Sequence, residues 1–245
     1  DYSLTPTIAI VDPALVESVP AFIAADTGMD VLTHATEAYT SNFANDYTDG
    51  IALQTIKLVF QYLEKSVLTG DPEAREKIHN ASTMAGMAFA NAFLGMSHSM
   101  AHKIGGRFHT VHGRTNAILL PYVIRYNGTR PSKTTTWPKY NYWKADEKFQ
   151  DIARMLGLPH STPEEAVAAY AKAVYELGEK VGIKMNFKDQ GIDEQEWKKY
   201  THELALLAYE DQCSPANPRL PMVADMEEIM NDAYYGYKER PGRIK

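Results

Sequence analysis

The sequence predicts a mainly α-helical fold. Three observations carry that expectation. Apolar residues recur at helical spacing through most of the chain after residue 20, and the segments they define are bounded by capping residues. Only one short β-branched run, TIAIV at 7–11, reads as a strand, ending at Asp12-Pro13.

Taken in order, residues 20–40 read as helix in two pieces, broken near Gly28. YTDGIALQTIKLVFQYLEKSV at 47–67 keeps apolar residues on one helical face and stops before TGDP. Segment 72–94 opens with Pro72-Glu73-Ala74, an acidic first turn, and continues through MAGMAFANAF; such small side chains point to a helix buried on most sides. Segment 113–126 is a mostly apolar run (AILLPYVIRY) that contains Pro121 and fits a buried helix better than a strand. Residues 127–145, rich in Pro, Thr and aromatics, read as a long loop.

Helix resumes at 146–156. Thr162-Pro163-Glu164-Glu165 is a capping box with proline at the first helical position; it opens a helix to about 181, ended by Gly182. In 193–210, Trp197, Tyr200, Leu204, Leu207 and Ala208 share a face. CSPANPRLP (213–221) is a rigid loop and 223–235 a last helix. The tail KERPGRIK (238–245) is basic.

The net charge of -6 argues against nucleic acid or an anionic membrane as the main partner. Cys213 is the one cysteine, so no internal disulfide can form and a reducing, cytoplasmic setting is expected. No apolar run approaches membrane-spanning length. The chain begins at Asp1, and DYSLTPTIAIVDP reads as the middle of a longer protein.

Four of the eight histidines, His98, His102, His109 and His112, fall within the fifteen positions of HSMAHKIGGRFHTVH. His98 and His102 stand four apart, one turn along one helical face. Upstream, GMDVLTHATEAY sets Asp30 and His34 at the same spacing. The Gly105-Gly106 pair is a break after which His112 can swing in from a separate segment. Imidazole and carboxylate without thiolate suit Fe(II) or Zn(II) better than Mg(II) or Ca(II). Taken alone, a D-x3-H pair on a helix is usually a surface hydrogen bond; what favours a metal site is its co-occurrence with the downstream histidines and small neighbours. The pattern also leaves open which of the four clustered histidines bind, and whether the ion is iron or zinc.

TGMDVLTHATEAY followed by GMSHSMAHKIGGRFHTVHGRTNAILLP resembles the two signatures of the iron-dependent (group III) alcohol dehydrogenases. The resemblance runs from IAIVDP to EDQCSPANPR; that stretch, with MEEIMNDAYYGYKERPG after it, looks most like the alcohol dehydrogenase half of the bifunctional aldehyde–alcohol dehydrogenases. It implies the helical metal-binding C-terminal domain of the iron-dependent alcohol dehydrogenase and dehydroquinate synthase-like fold. On that resemblance the ligands are Asp30, His34, His98 and His112. His102 lies close to the site as a candidate catalytic proton relay, Phe89 matches an aromatic lining the substrate pocket, and His109 falls where the family needs nothing.

The same resemblance implies residues 1–14 as the last strand and linker of an upstream NAD-binding α/β domain, 15–237 as the helical metal-binding domain, and 238–245 as a tail. Neither the family's Gly-Gly-Gly-Ser turn nor a G-x-G-x-x-G occurs in the chain, so NAD(H) is expected to be held mainly by that upstream domain. The implied reaction interconverts a short-chain aldehyde and alcohol, such as acetaldehyde and ethanol, in fermentation. A homo-oligomer or filament is expected of the whole protein, with TWPKYNYW (136–143) as a possible contact surface. Three rivals stand beside this reading: a zinc glycerol dehydrogenase-like enzyme, a helical metal-dependent hydrolase, and a non-catalytic filament segment. Such hydrolases typically carry an adjacent His-Asp pair, and no His-Asp dipeptide occurs in this sequence.

Overall fold

A computed structural model describes residues 6–131 and 143–236. Among them are nine α-helices and no strand: α1 (Ala21–Thr40), α2 (Asp46–Thr69), α3 (Pro72–Ala92), α4 (Met96–Phe108), α5 (His112–Gly128), α6 (Ala145–Leu156), α7 (Pro163–Lys180), α8 (Glu194–Tyr209) and α9 (Val223–Tyr235). Short 3-10 turns stand at Pro13–Val16 and Ser214–Ala216. The mainly helical expectation holds. The loop surface expected at 136–143, apart from Trp143, and the basic tail lie outside the described residues.

Local chemistry sets the helix ends. Asn45 and Thr48 form a reciprocal capping box at α2, which stops at the left-handed Gly70. Asp71 caps α3 with Pro72 at its first position. At α7 the Thr162 hydroxyl accepts from Glu165 N at 3.2 Å, but the Glu165 carboxylate reaches back to Ser161 N at 2.7 Å, one residue earlier than the box predicts.

α1 is the platform. It packs against α2, α3 and α5; α5 in turn packs on α7, and α4 on α5 and α8. Met29, Leu32, Ala35 and Ala38 of α1 meet Ile56, Val59 and Leu63 of α2 and the alanine row Ala81, Ala85, Ala88 and Ala92 of α3 in one core. A second centre is aromatic: Trp197 stacks on Phe108, Phe187 and Tyr234 at centroid distances of 5.6, 5.2 and 4.9 Å. α5 is buried over nearly its whole length, Pro121 included.

Five expectations are corrected. The strand at 7–11 does not form: a strand needs a partner ladder, and Ile8 and Ile10 lie 79% and 86% exposed with none among the described residues. α1 is unbroken at Gly28, because the glycine is a packing choice; a Cβ there would lie 2.1 Å from Leu63 Cδ1 of α2. α4 likewise runs through Gly105-Gly106, and the chain reverses at His109, which takes a left-handed φ of 55°. α3 is buried along a stripe of alanines, not on most sides, and Met87 is 54% exposed. Leu207 is 42% exposed, since the buried face of α8 runs through Trp197, Thr201, Leu204, Ala205 and Ala208.

Tyr170 of α7 is fully buried, and its hydroxyl lies 2.7 Å from Thr36 Oγ1 of α1. Thr36 already donates to the Leu32 carbonyl at 2.7 Å, so the tyrosine is the donor. Tyr170→Phe should therefore cost about 1 kcal/mol in urea unfolding, leaving Thr36 one partner short. A midpoint unchanged from the parent would show that this contact ties nothing.

Candidate metal centre

Asp30 and His34 sit one turn apart on α1, with the His34 Nδ1 and Asp30 Oδ2 atoms 3.6 Å apart. His98, in the first turn of α4, brings Nε2 to 3.8 Å from Asp30 Oδ1. Potential ligand atoms of these three residues lie within 4.8 Å of one another. His112, the first residue of α5, places Nε2 at 3.6 Å from the same Asp30 oxygen. Three helices thus converge on one carboxylate. Side-chain exposure rises from 1% at His98 through 17% at His34 to 44% at His112, so the cluster has a buried floor and an open rim.

Close packing sets the rim. Arg114 clamps Asp26 of α1 with two hydrogen bonds of 2.9 Å, and Asp26 is buried. Between Arg114 and His112 stands Gly113, where a Cβ would lie 2.2 Å from the Asp26 carbonyl oxygen. Only glycine lets α5 start close enough to α1 for His112 to reach Asp30.

The surrounding polar groups are arranged as holders. Asn116, fully buried, donates to Asp30 Oδ1 at 2.9 Å and stands 3.2 Å from His112 Nε2, while its carbonyl accepts from Ser97 Oγ at 3.3 Å. Glu37 stands 2.6 Å from His98 Nδ1. The other ring nitrogen, His98 Nε2, is buried without a hydrogen-bond partner. A buried lone pair of that kind is costly unless something electrophilic meets it. The donor set, three imidazoles and a carboxylate around such an atom, fits a divalent transition metal held by N and O ligands.

Burial, aided by His98, lowers the pKa of His34 from 6.5 to about 4 against the opposing pull of Asp30. His112 is also lowered, again chiefly by burial. Both imidazoles are therefore neutral near pH 7, the form that ligates.

Of the other residues singled out in the sequence, Phe89 stacks on the His34 ring at 4.6 Å. His102 stacks on His112 at 5.5 Å, and its Nδ1 lies 3.1 Å from Asp211 Oδ2. Asp211 also binds Lys103 Nζ at 2.8 Å and accepts from Cys213 N at 3.0 Å. Burial acts to raise the Asp211 pKa, but the bonds from Lys103, Cys213 and His102 outweigh it and hold it near 2. Burial beside Asp211 pushes the Cys213 thiol up to about 12, so it stays protonated. His109 turns away from the cluster: it is the left-handed C-cap of α4 and lines a separate cavity of about 550 Å³ with Arg107, Val111, Arg114 and Asp193.

Three residues that matter here carried no role in the sequence reading: Glu37, Asn116 and Asp211. Glu37 had a signal, since positions 30, 34 and 37 lie on one face of a helix. Asn116 follows His112 by four positions. Asp211 had no local signal, because it meets His102 only through the packing of α4 on α8.

The family model for the C-terminal part of Fe-containing alcohol dehydrogenases matches residues 24–234. The aldehyde-alcohol dehydrogenase of Streptococcus pneumoniae serotype 2 is 79% identical over all of this chain, which spans 28% of that protein's length. The iron-containing alcohol dehydrogenase of Thermococcus thioreducens superposes with a TM-score of 0.81 at 35% identity, over 95% of this chain and 56% of its own. The sulfoacetaldehyde reductase of Bifidobacterium kashiwanohense, solved in complex with NAD+, does so with a TM-score of 0.76 at 29% identity, over 92% and 54%. No helix among the described residues is long and apolar enough to cross a membrane.

The depressed His34 has a consequence for the metal-stripped chain. An unfolded chain takes up the proton near 6.5, whereas the folded one resists it until about 4. Stability that depends on neutral His34 is complete above the unfolded value and is lost as pH falls through the folded one. Urea midpoints should therefore drop between pH 6.5 and 4, and His34→Asn should flatten that limb. An identical limb in the variant would assign the acid loss to other groups.

Proposed function

The chain belongs to the Fe-containing alcohol dehydrogenase family, and from that premise we propose that it is the metal-holding part of an NAD-linked alcohol dehydrogenase within a bifunctional aldehyde–alcohol dehydrogenase. Its substrates are short-chain aldehydes and alcohols, acetaldehyde and ethanol among them. The observation that carries the reading is His98 Nε2, buried and unpartnered beside Asp30, His34 and His112. These four residues would hold Fe(II), with Zn(II) the alternative that the same donors accept. When bound, the ion supplies Lewis-acid polarisation of a carbonyl or hydroxyl oxygen.

The chain's own side chains do the rest. Asp30 offers one carboxylate among three imidazoles, and Asn116 fixes its orientation through Oδ1. Phe89, flat against His34, is an apolar wall beside the site, suited to the alkyl part of a small substrate. His102 passes a proton between solvent and the alcohol oxygen at Nε2, because its Nδ1 is engaged by Asp211. Cys213, protonated and buried, takes no part as a nucleophile.

The nicotinamide cofactor is held mainly by a segment outside these residues. The missing glycine-rich turn supports this, as does the 28% share that the chain spans of its pneumococcal relative. Residues 1–14 are then the last strand and linker of an α/β domain, 15–237 the metal-binding domain and 238–245 a tail. Ile8 and Ile10, at 79% and 86% exposed, find in that sheet the ladder they lack here. The whole protein acts in the cytoplasm as a homo-oligomer or filament.

Two measurements test this. His98→Ala should lower metal affinity by orders of magnitude while His102→Ala keeps it; the reverse result would make His102 the ligand and end this assignment. In anaerobic assays with Fe(II) loaded, the longer protein, extended upstream by the α/β domain, should reduce acetaldehyde with NADH, and the 245 residues alone should not. Robust NADH-dependent reduction by the 245 residues would place the cofactor site within them and overturn the division of labour.

A further inference from the structure

We propose that Glu37 is a positioning residue of this centre, which sets the tautomer of His98 and the seat of the helix that carries it. The inference rests on the reading above, in which His98 faces a metal ion. Glu37 is 3% exposed and its Oε2 lies 2.6 Å from Nδ1 of His98, itself 1% exposed. An ionised carboxylate only accepts, so the ring nitrogen donates. A neutral imidazole has one N–H. With that proton held at Nδ1, Nε2 is left as a lone pair, and Nε2 is the buried atom without a hydrogen-bond partner.

The second carboxylate oxygen has a different task. α4 begins after Gly95 with no side-chain cap of its own, so its first N–H groups lack local partners. Ser97 N donates to Glu37 Oε1 at 2.7 Å, and Met96 N donates to Asn217 Oδ1 at 3.2 Å. α4 is thus capped in tertiary fashion, by residues from α1 and from the loop before α9. A negative group at a helix N-terminus also meets the positive end of the helix dipole. One carboxylate therefore fixes the position of α4 and the orientation of the ring in its first turn.

The residue type matters more than its size. Both partners of Glu37 are donors, and a carboxylate satisfies both. An amide of the same shape must present N–H to one of them. Facing Ser97 N, the amide leaves that N–H without its acceptor. Facing His98, it drives the imidazole to accept at Nδ1 and to carry its proton at Nε2, where the metal must bind. Partners of this kind are worth about 10–100-fold in metal affinity.

The test uses the 245-residue chain and Zn(II), which avoids oxidation, with affinity read by competition against a chelator. Glu37→Gln should weaken Zn(II) binding by about 10–100-fold. Asn217→Ala, which removes the other cap and leaves the His98 contact intact, should lower the unfolding midpoint but keep near-parental affinity. Equal affinity in Glu37→Gln and the parent would overturn the proposal, as would equal losses in both variants, which would reduce Glu37 to a stabiliser. A parent chain that binds no Zn(II) would instead overturn the metal reading itself. Should Glu37→Gln not fold, long-range proton–nitrogen NMR on the metal-free parent decides: the His98 proton belongs on Nδ1, and a proton on Nε2 would overturn the inference.

Discussion

A buried imidazole has two nitrogens, and a protein that hides one must account for both. His98 is the deepest polar ring of the cluster, and everything around the centre is arranged by how its two nitrogens are used. One is tied to Glu37; the other is left open toward Asp30, His34 and His112. Leaving a buried acceptor open costs on the order of 1–3 kcal/mol. A fold keeps such a cost where a ligand removes it, and the rest of the helical core supplies the stability that carries it meanwhile.

α1 answers the geometric side of the same constraint. Its one face carries Asp30, His34 and Glu37, two donors and the holder of a third. Its threonines Thr33, Thr36 and Thr40 donate their hydroxyls to carbonyls of their own helix, at 3.0, 2.7 and 2.9 Å, and Thr36 in addition accepts from Tyr170 of α7. Small residues then let neighbours come close. Gly28 admits Leu63 of α2, and Gly113 brings α5 against the Asp26 carbonyl. The approach of α5 to α1 at the centre is set by this Gly113 contact with backbone, which leaves no room for a Cβ.

Several helices were legible because the sequence carries their boundary chemistry: the stop before TGDP at the end of α2, Pro72-Glu73 at the start of α3, Thr162-Pro163 before α7; α4 has no side-chain cap of its own. What could not be read locally was any feature whose cause lies in another segment. TIAIV has the composition of a strand, yet pairing is a property of two chains of backbone. Gly28 looks like a break, because helix propensity sees only the lost Cβ and not Leu63, which needs its space; Gly105-Gly106 looks like one too, yet α4 runs through it. Leu207 fell outside α8's buried face because periodicity locates a stripe but not its width. The i,i+4 pairs of the centre were visible as spacing, but spacing did not rank His98 above His102; the family resemblance did. The structure adds the physical difference between them: His98 is sealed under Glu37 and His102 leans on Asp211 at the partly exposed rim.

The centre draws on α1, α4 and α5, and this has a consequence for how the chain is made. Synthesis delivers Asp30 and His34 first, on one helix, long before His98 and His112 exist. Two donors on a nascent helix make a weak, exchangeable site, open to any divalent ion that passes. The tight site appears only when the loops between these helices have closed, and such closure is late in a folding reaction. If the centre holds a metal ion, as proposed, capture is deferred until the polypeptide has reached its final arrangement.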